Sequence, residues 1–320
     1  MAKVIVITGY YNRDWCVDDS MKSLLSQTFD DYKIVAFDDC SKDNTYEQLK
    51  KYTSNKFHAI RFESNMGFVN GMIHIIDNYC KEAEYILVHG SGDIAMPTLI
   101  SEEVDILDSD RSLVAVSCET KDIDPVTGKW FIAKRKEITT HQDLIKENIL
   151  THGGTMIRKS DYHKCGGYSS TFIYSQDYDL WLKLSKLGNI RVIPKILYQR
   201  MAYLDGASVK PERFVQQAFF AKLAKDLNDL KAEERLKIEE NVKRNGVTKI
   251  VQIDSAIKKA IFKHFHSMIL KGHNLNEVPF VEHSDSYRKT YFKIVSELYK
   301  ISTFKACLSS IYKLKKYFDK

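Results

Sequence analysis

Between Lys3 and Leu107 the chain alternates short apolar runs with segments of helical spacing, and no other feature restricts its fold as much. Lys3 to Gly9 (KVIVITG), Tyr32 to Phe37 (YKIVAF), His58 to Glu63 and Tyr85 to His89 (YILVH) read as strands. Their β-branched and apolar residues suit positions buried on both faces of a parallel sheet. The helices between them are Asp18 to Gln27, a segment capped by Ser41 or Asp43 and running to about Tyr52, Phe68 to Cys80, and Pro97 to about Leu107. Strand and helix repeated in this way predict an α/β fold with a doubly wound, mostly parallel sheet and helices on both faces. Ligands bind such sheets outside the carboxyl ends of the strands, so chemistry is expected in the loops that follow these runs.

The stretch YILVHGSGDIAMP, Tyr85 to Pro97, has the shape of such a site. Its strand stops at His89, Gly90 and Gly92 let a ligand approach the backbone, Asp93 presents one carboxylate, and Pro97 suits the first turn of a helix. Asp38 and Asp39 stand in the same place after the second strand, and Tyr10 to Asp14 (YYNRD) after the first. Leu113 to Glu119 continues the pattern as a fifth strand, after which the period changes. A turn-rich DIDPVTGK, a possible edge strand at Trp130 to Ala133 and another at Thr155 to Arg158 suggest a mixed sheet. Ser175 to Gly188 places Leu180, Trp181, Leu184 and Leu187 on one helical face, and Ile190 to Pro194 and Ile196 to Arg200 read as two closing strands.

From Asp205 onward the spacing is helical, with candidate helices near 213–230, 232–245, 254–270, 286–299 and 303–318. This divides the chain into a domain of residues 1–204 and a helical region of residues 205–320. The net charge of +6 divides there too: 23 Lys/Arg against 14 Asp/Glu give +9 from Asp205 on, and 25 against 28 give −3 before it. A basic helical region fits an anionic partner, and the helix at 303–318 has the pattern of one that lies on an anionic membrane, although packing on the main domain is the better reading. No nucleic acid is expected as partner. The six cysteines show no CxxC pair, which favours buried thiols in a reducing compartment over a zinc site. With no signal-like segment and no apolar run near the roughly 18 residues of a membrane span, the expected location is the cytoplasm, either free or peripheral on the inner face of the membrane.

Taken in order, VIVITGYYNR, SLLSQTF, VAFDDCSKDNT, ESNMG, GSGD before IAMP, IRKS with GGY, and QDYDLW resemble the family 2 glycosyltransferases over roughly the first 200 residues. The resemblance implies a GT-A fold and inverting transfer of a sugar from a nucleoside diphosphate donor to a glycan or lipid-linked acceptor, as in bacterial surface polysaccharide synthesis. It implies that Asp39 holds the nucleotide base; a carboxylate accepts from uracil N3–H, which favours UDP. Thr8, Tyr10, Asn12, Arg13, Asn65, Gly67, Ser91, Gly92 and Asp93 would face the donor. Asp38 is better read as a cap of the next helix, and Arg13 could equally be a surface residue. Asp93 matches the last acid of the family's DxD-type motif, which implies Mg²⁺ or Mn²⁺ against the diphosphate. This sequence departs from that motif, with Gly90 and Gly92 where other acids stand; relatives also often carry an Arg between the positions of Asn65 and His74 and a His near RMAYLDGAS. Asp177 of QDYDLW matches the proposed catalytic base, with Gln176 in place of the usual Glu. His152, Gly154 and Gln176 would lie on the acceptor side, while Trp181 reads as core. Two other classes remain: a glycosyltransferase-like binding or scaffold protein that has lost catalysis, and a sugar nucleotidyltransferase, for which YYNRD lacks the expected Gly-rich basic loop.

Overall fold

A computed structural model describes residues 2–124, 128–203, 211–252, 254 and 257. The chain divides into two compact units, one of residues 1–203 and 224–231, the other of residues 204–223 and 232–320. The first unit opens with β1 (Val4–Tyr10), α1 (Val17–Leu25), β2 (Tyr32–Asp38), α2 (Thr45–Lys50), β3 (Phe57–Arg61), α3 (Phe68–Tyr79) and β4 (Tyr85–His89). These strands lie parallel in the order β3-β2-β1-β4. All five residues of β4 are buried, as are six of the seven in β1, so the uninterrupted apolar runs are those of strands covered on both faces.

Beyond β4 the sheet is mixed. β5 (Ile94–Ala95) is a short strand absent from the sequence reading, and α4 (Leu99–Ser109) starts after Pro97. There follow β6 (Leu113–Ile123), β7 (Trp130–Ala133), β8 (Ile138–Thr139), α5 (His141–Lys146), β9 (Thr155–Arg158), α6 (Lys159–Lys164), α7 (Gln176–Leu184) and β10 (Asn189–Met201). β9 runs antiparallel to both its neighbours, β4 and β6, and β10 runs parallel to β6, giving the order β3-β2-β1-β4-β9-β6-β10-β5, with β7 on β6 and β8 on β10. The two strands expected at Ile190 to Arg200 are one. Pro194 and Lys195 fall in an irregularity between Ile193 and Ile196, so β10 accommodates a residue without an N–H and continues. α7 ends earlier than expected: Leu180, Trp181 and Leu184 are buried, but Leu187 is 47% exposed, beyond the helix.

On the face covered by α1 and α4 the core is built from the predicted runs, Val4, Val6, Ile34, Leu87 and Met156 packing with Met21, Leu24, Leu99 and Val104 of those helices. Cys16, Cys80 and Cys118 are buried as expected; Cys40 and Cys165 are only partly so. In the second unit the described elements are helical: α8 (Pro211–Leu227), whose last four residues belong to the first unit, α9 (Ala232–Asn245) and α10 (Val247–Ile250). The helices expected at 254–270, 286–299 and 303–318, and with them the membrane-facing segment, lie outside the described residues. Among the described residues no helix is long and apolar enough to cross a membrane.

Candidate active site

Because β1, β2 and β4 are parallel, the loops at Tyr11, Asp39 and Gly90 emerge at one edge of the sheet. β9 runs antiparallel to β4, pairing Val88 with Thr155, so the loop before it, His152 to Gly154, returns to the same edge. That single topological fact brings the acceptor-side candidates to the donor-side ones.

Asp39 directly follows β2, and its buried carboxylate accepts from the Met66 and Gly67 N–H groups at 2.7 and 2.9 Å, while Asn65 Nδ2 donates to its carbonyl at 3.0 Å. Asn65 and Gly67 therefore act through Asp39, folding the SNMG turn onto it. Asp38 does not cap α2. Its fully buried carboxylate accepts from Ser41 N and faces the Arg61 guanidinium at 3.5 Å, with burial raising its pKa, whereas Asp43 accepts from Thr45 N and from Asp14 N.

Two donor-side expectations change. Tyr10 is 1% exposed, and its hydroxyl donates to Ser20 of α1 at 2.9 Å and lies against the Gly92 backbone, so it supports the loop from beneath. Thr8 is fully buried inside β1, away from any surface a donor could reach. Both belong to the strand itself, whose side chains are enclosed on both faces. Asn12 is a brace: Oδ1 accepts from Lys42 N at 2.8 Å and its own N–H donates to Ser41 Oγ. Arg13 Nη1 donates to the Ser91 carbonyl at 3.2 Å, with the guanidinium beside the rings of Trp15 and Tyr203.

The GSGD loop is organised by a residue that no sequence pattern singles out. Tyr198 of β10 donates its hydroxyl proton to Asp93 Oδ2 at 2.9 Å and accepts from Gly90 N–H at 2.8 Å. The other carboxylate oxygen of Asp93 accepts from Met201 N–H at 2.8 Å. Asp93 is 7% exposed, and its pKa is raised to about 6 by burial, against the opposing pull of its hydrogen bonds and of Arg200 and Arg13. A Cβ at Gly90 would stand 2.3 Å from Asp93 Oδ2, so the glycine makes room for this inward carboxylate. Gly92 has φ +85°, a conformation that disfavours side chains, and its carbonyl accepts from the Tyr203 hydroxyl.

This donor set does not fit a divalent cation. Both Asp93 oxygens are turned inward onto Tyr198 and β10, Gly90 and Gly92 bring no carboxylate, and no group of three or more His, Cys, Asp or Glu able to hold a metal occurs among the described residues.

Asp177 is the second residue of α7, and its Oδ2 accepts from Asn148 Nδ2 at 3.3 Å. Gln176, beside it, opens the helix and is partly exposed. His152 Nε2 pairs with the Tyr168 hydroxyl at 2.6 Å and packs against Phe68 and Trp181; burial lowers its pKa, with the Asp177 charge pulling the other way. Gly154 N–H donates to Val88 O, with Gly153 and Gly154 packed on the Tyr198 ring. Contacts thus run from Asp39 through Gly67 and Phe68 to His152, on which the Asp177 charge acts, and from Gly153 through Tyr198 to Asp93. Asn148, Phe68, Tyr168 and Tyr198 were not legible as site residues, since each is an ordinary polar or aromatic residue far along the chain from its partner.

Three non-glycine residues have positive φ, namely Asn12 (51°), Cys40 (63°) and Ser175 (52°). They adjoin Arg13, Asp39 and the start of α7, so among the described residues left-handed non-glycine backbone falls at the three loops carrying the candidate groups.

A mixed sheet of this order, with acidic loops at the carboxyl edge of its parallel half, is the GT-A glycosyltransferase fold. The chain belongs to glycosyl transferase family 2, whose family model matches residues 5–166, half of its length. It is 24% identical over 207 residues to an uncharacterized glycosyltransferase of Haemophilus influenzae, covering 61% of this chain and 64% of that protein. It is 26% identical over 208 residues to a chondroitin synthase of Escherichia coli, covering 62% of this chain and 29% of the synthase. The chain thus spans less than two thirds of either relative. Among solved structures it resembles S. aureus TarS 1-349 in complex with UDP (TM-score 0.55, 18% identity, 93% and 91% of the two chains). It also resembles a Pyrobaculum calidifontis mannosyltransferase in complex with GDP-Man and Mn²⁺ (TM-score 0.57, 13% identity, 96% and 83%).

Proposed function

We propose that the chain is an inverting glycosyltransferase that moves a sugar from a nucleoside diphosphate, UDP by preference, to a hydroxyl of a glycan or lipid-linked acceptor in surface polysaccharide synthesis. The observation that carries this reading is the gathering at one sheet edge of Asp39, bonded to Gly67, Phe68, packed on His152, and Asp177, whose charge acts on His152. Family membership and the polymer synthase among the relatives support the reaction class and the acceptor class, and the UDP complex of TarS supports the nucleotide. Residues 1–204 would perform the transfer, and residues 205–320 would form a separate helical region.

In this reading the base lies at Asp39, the diphosphate at the GSGD loop and the acceptor between His152 and Asp177. The acceptor oxygen attacks the anomeric carbon from the face opposite the diphosphate. Its proton passes to an Asp177 carboxylate oxygen as the bond from carbon to the phosphate oxygen breaks, and that electron pair leaves on the nucleoside diphosphate. A single carboxylate on one face is what inversion requires. Asn148 orients that carboxylate, and His152, held by Tyr168, shapes its surroundings.

Asp39→Ala is expected to weaken UDP binding by about 1.5–3 kcal/mol, the value of a hydrogen bond to a charged group. The same substitution releases the Met66 and Gly67 N–H groups, so the melting temperature also falls. Calorimetry showing wild-type UDP affinity would remove Asp39 from the donor site. Incubation with UDP-, GDP- and other nucleotide sugars plus an oligosaccharide acceptor tests the whole reading. Product with release of nucleoside diphosphate supports it; pyrophosphate release would indicate a nucleotidyltransferase, and binding without turnover a scaffold.

A further inference from the structure

We propose that the donor diphosphate of this chain is neutralised by the Arg13 guanidinium in place of a divalent ion, and that Asp93 serves to shape the loop. The inference rests on the nucleotide-sugar reading above and deepens it. As the sugar leaves, the nucleoside diphosphate gains a negative charge, and an oxygen-ligated cation or a fixed guanidinium can meet it.

The loop is built for the second arrangement. An ion held by the GSGD loop would need outward-facing carboxylate oxygens, and the only carboxylate there faces inward, bonded to the Tyr198 hydroxyl and to Met201 N–H. Breaking those bonds to bind metal would undo the attachment of the loop to β10, because Tyr198 also holds Gly90 N–H. Glycine at positions 90 and 92 leaves no other carboxylate in the loop, and the space a Cβ would occupy at Gly90 is already filled by Asp93.

Arg13 is anchored at this loop. Its backbone N–H donates to Thr45 Oγ1 at 2.7 Å, its Nη1 to Ser91 O at 3.2 Å, and its guanidinium carbon lies 5.7 and 5.5 Å from the ring centres of Trp15 and Tyr203. The aromatic rings fix the plane of the group and the carbonyl fixes one of its edges. Arg13 sits between the base-side braces, Asn12 with Ser41 and Lys42, and the carbonyl of Ser91. In the donor reading, with the base at Asp39 and the sugar toward His152, the diphosphate is assigned to this position beside Ser91.

The test is calorimetry on the full chain with UDP, and GDP in parallel, in EDTA and in Mn²⁺, with uridine and guanosine as controls. The wild type is expected to bind nucleoside diphosphate equally well in both buffers. Arg13→Gln is expected to lose about 10- to 150-fold in diphosphate affinity, with nucleoside affinity unchanged and Arg13→Lys intermediate. Binding that vanishes in EDTA and returns with Mn²⁺ overturns the inference alone and leaves the donor reading standing. So does wild-type affinity in Arg13→Gln. No nucleoside diphosphate bound in either buffer overturns both. Because the EDTA and Mn²⁺ comparison uses the wild type, it decides between metal and guanidinium whether or not Arg13→Gln folds.

Discussion

Asp177→Asn is expected to lower the rate of sugar transfer by about 10² to 10⁴, the usual contribution of a positioned general base. An alcohol does not ionise at neutral pH, so its proton must leave as the new bond forms, and the amide keeps the shape of the carboxylate while losing its basicity. The change falls on kcat, because donor contacts at Asp39 and the GSGD loop are left in place. The structure adds a condition: Asn148 Nδ2 donates to Asp177 Oδ2, and an amide at 177 can still accept that bond through its carbonyl. The variant should therefore keep wild-type thermal stability and donor affinity. Transfer at the wild-type rate under saturating donor and acceptor would exclude Asp177 from the mechanism; a fall in donor affinity of the same size would place it on the donor instead.

The second large effect concerns stability in acid, and its source is His89. This last residue of β4 is fully buried, and its ring meets Tyr198 edge-on at 5.4 Å. Burial lowers its pKa from 6.5 to about 3. A histidine depressed in the folded state favours folding while neutral, so its contribution is complete above pH 6.5 and is lost as pH falls toward 3. The full loss is about 5 kcal/mol, with about 2 kcal/mol gone by pH 5. Asp93 works in the opposite sense, since its folded pKa of about 6 lies above the ordinary carboxylate value and acid relieves its burial. The two must be separated by a difference measurement. Denaturant unfolding of wild type and His89→Phe, which keeps an aromatic ring in the site, should give curves whose gap changes by about 2 kcal/mol in favour of the variant between pH 7 and pH 5. A gap that stays constant with pH would mean that His89 is charged or hydrogen-bonded in the folded protein.

Much of this protein follows from local pattern. The β-branched runs at β1, β2 and β4 are buried on both faces, as their lack of alternation required, and the ends of parallel strands determined that Asp39 and the GSGD loop share an edge. The long periodic helices α3, α4, α7 and α9 were likewise legible, because amphipathic spacing is set within a few turns of chain. Short elements were not: α5, α6 and β5 owe their existence to neighbours, as in the pairing of Ile94 and Ala95 with β10. The same division holds within the site. Residue type and order pointed to Asp39, Asp93 and Asp177, but the direction in which each carboxylate faces depends on partners distant in sequence. Tyr198 lies 105 residues beyond Asp93 and turns it inward, and Met66 and Gly67, 27 and 28 residues beyond Asp39, engage both of its oxygens. Spacing along a chain records which groups can be present at a sheet edge. Their hydrogen bonds, and so whether a carboxylate is open to a cation or fastened to a strand, arise only when β9 and β10 close the sheet around them.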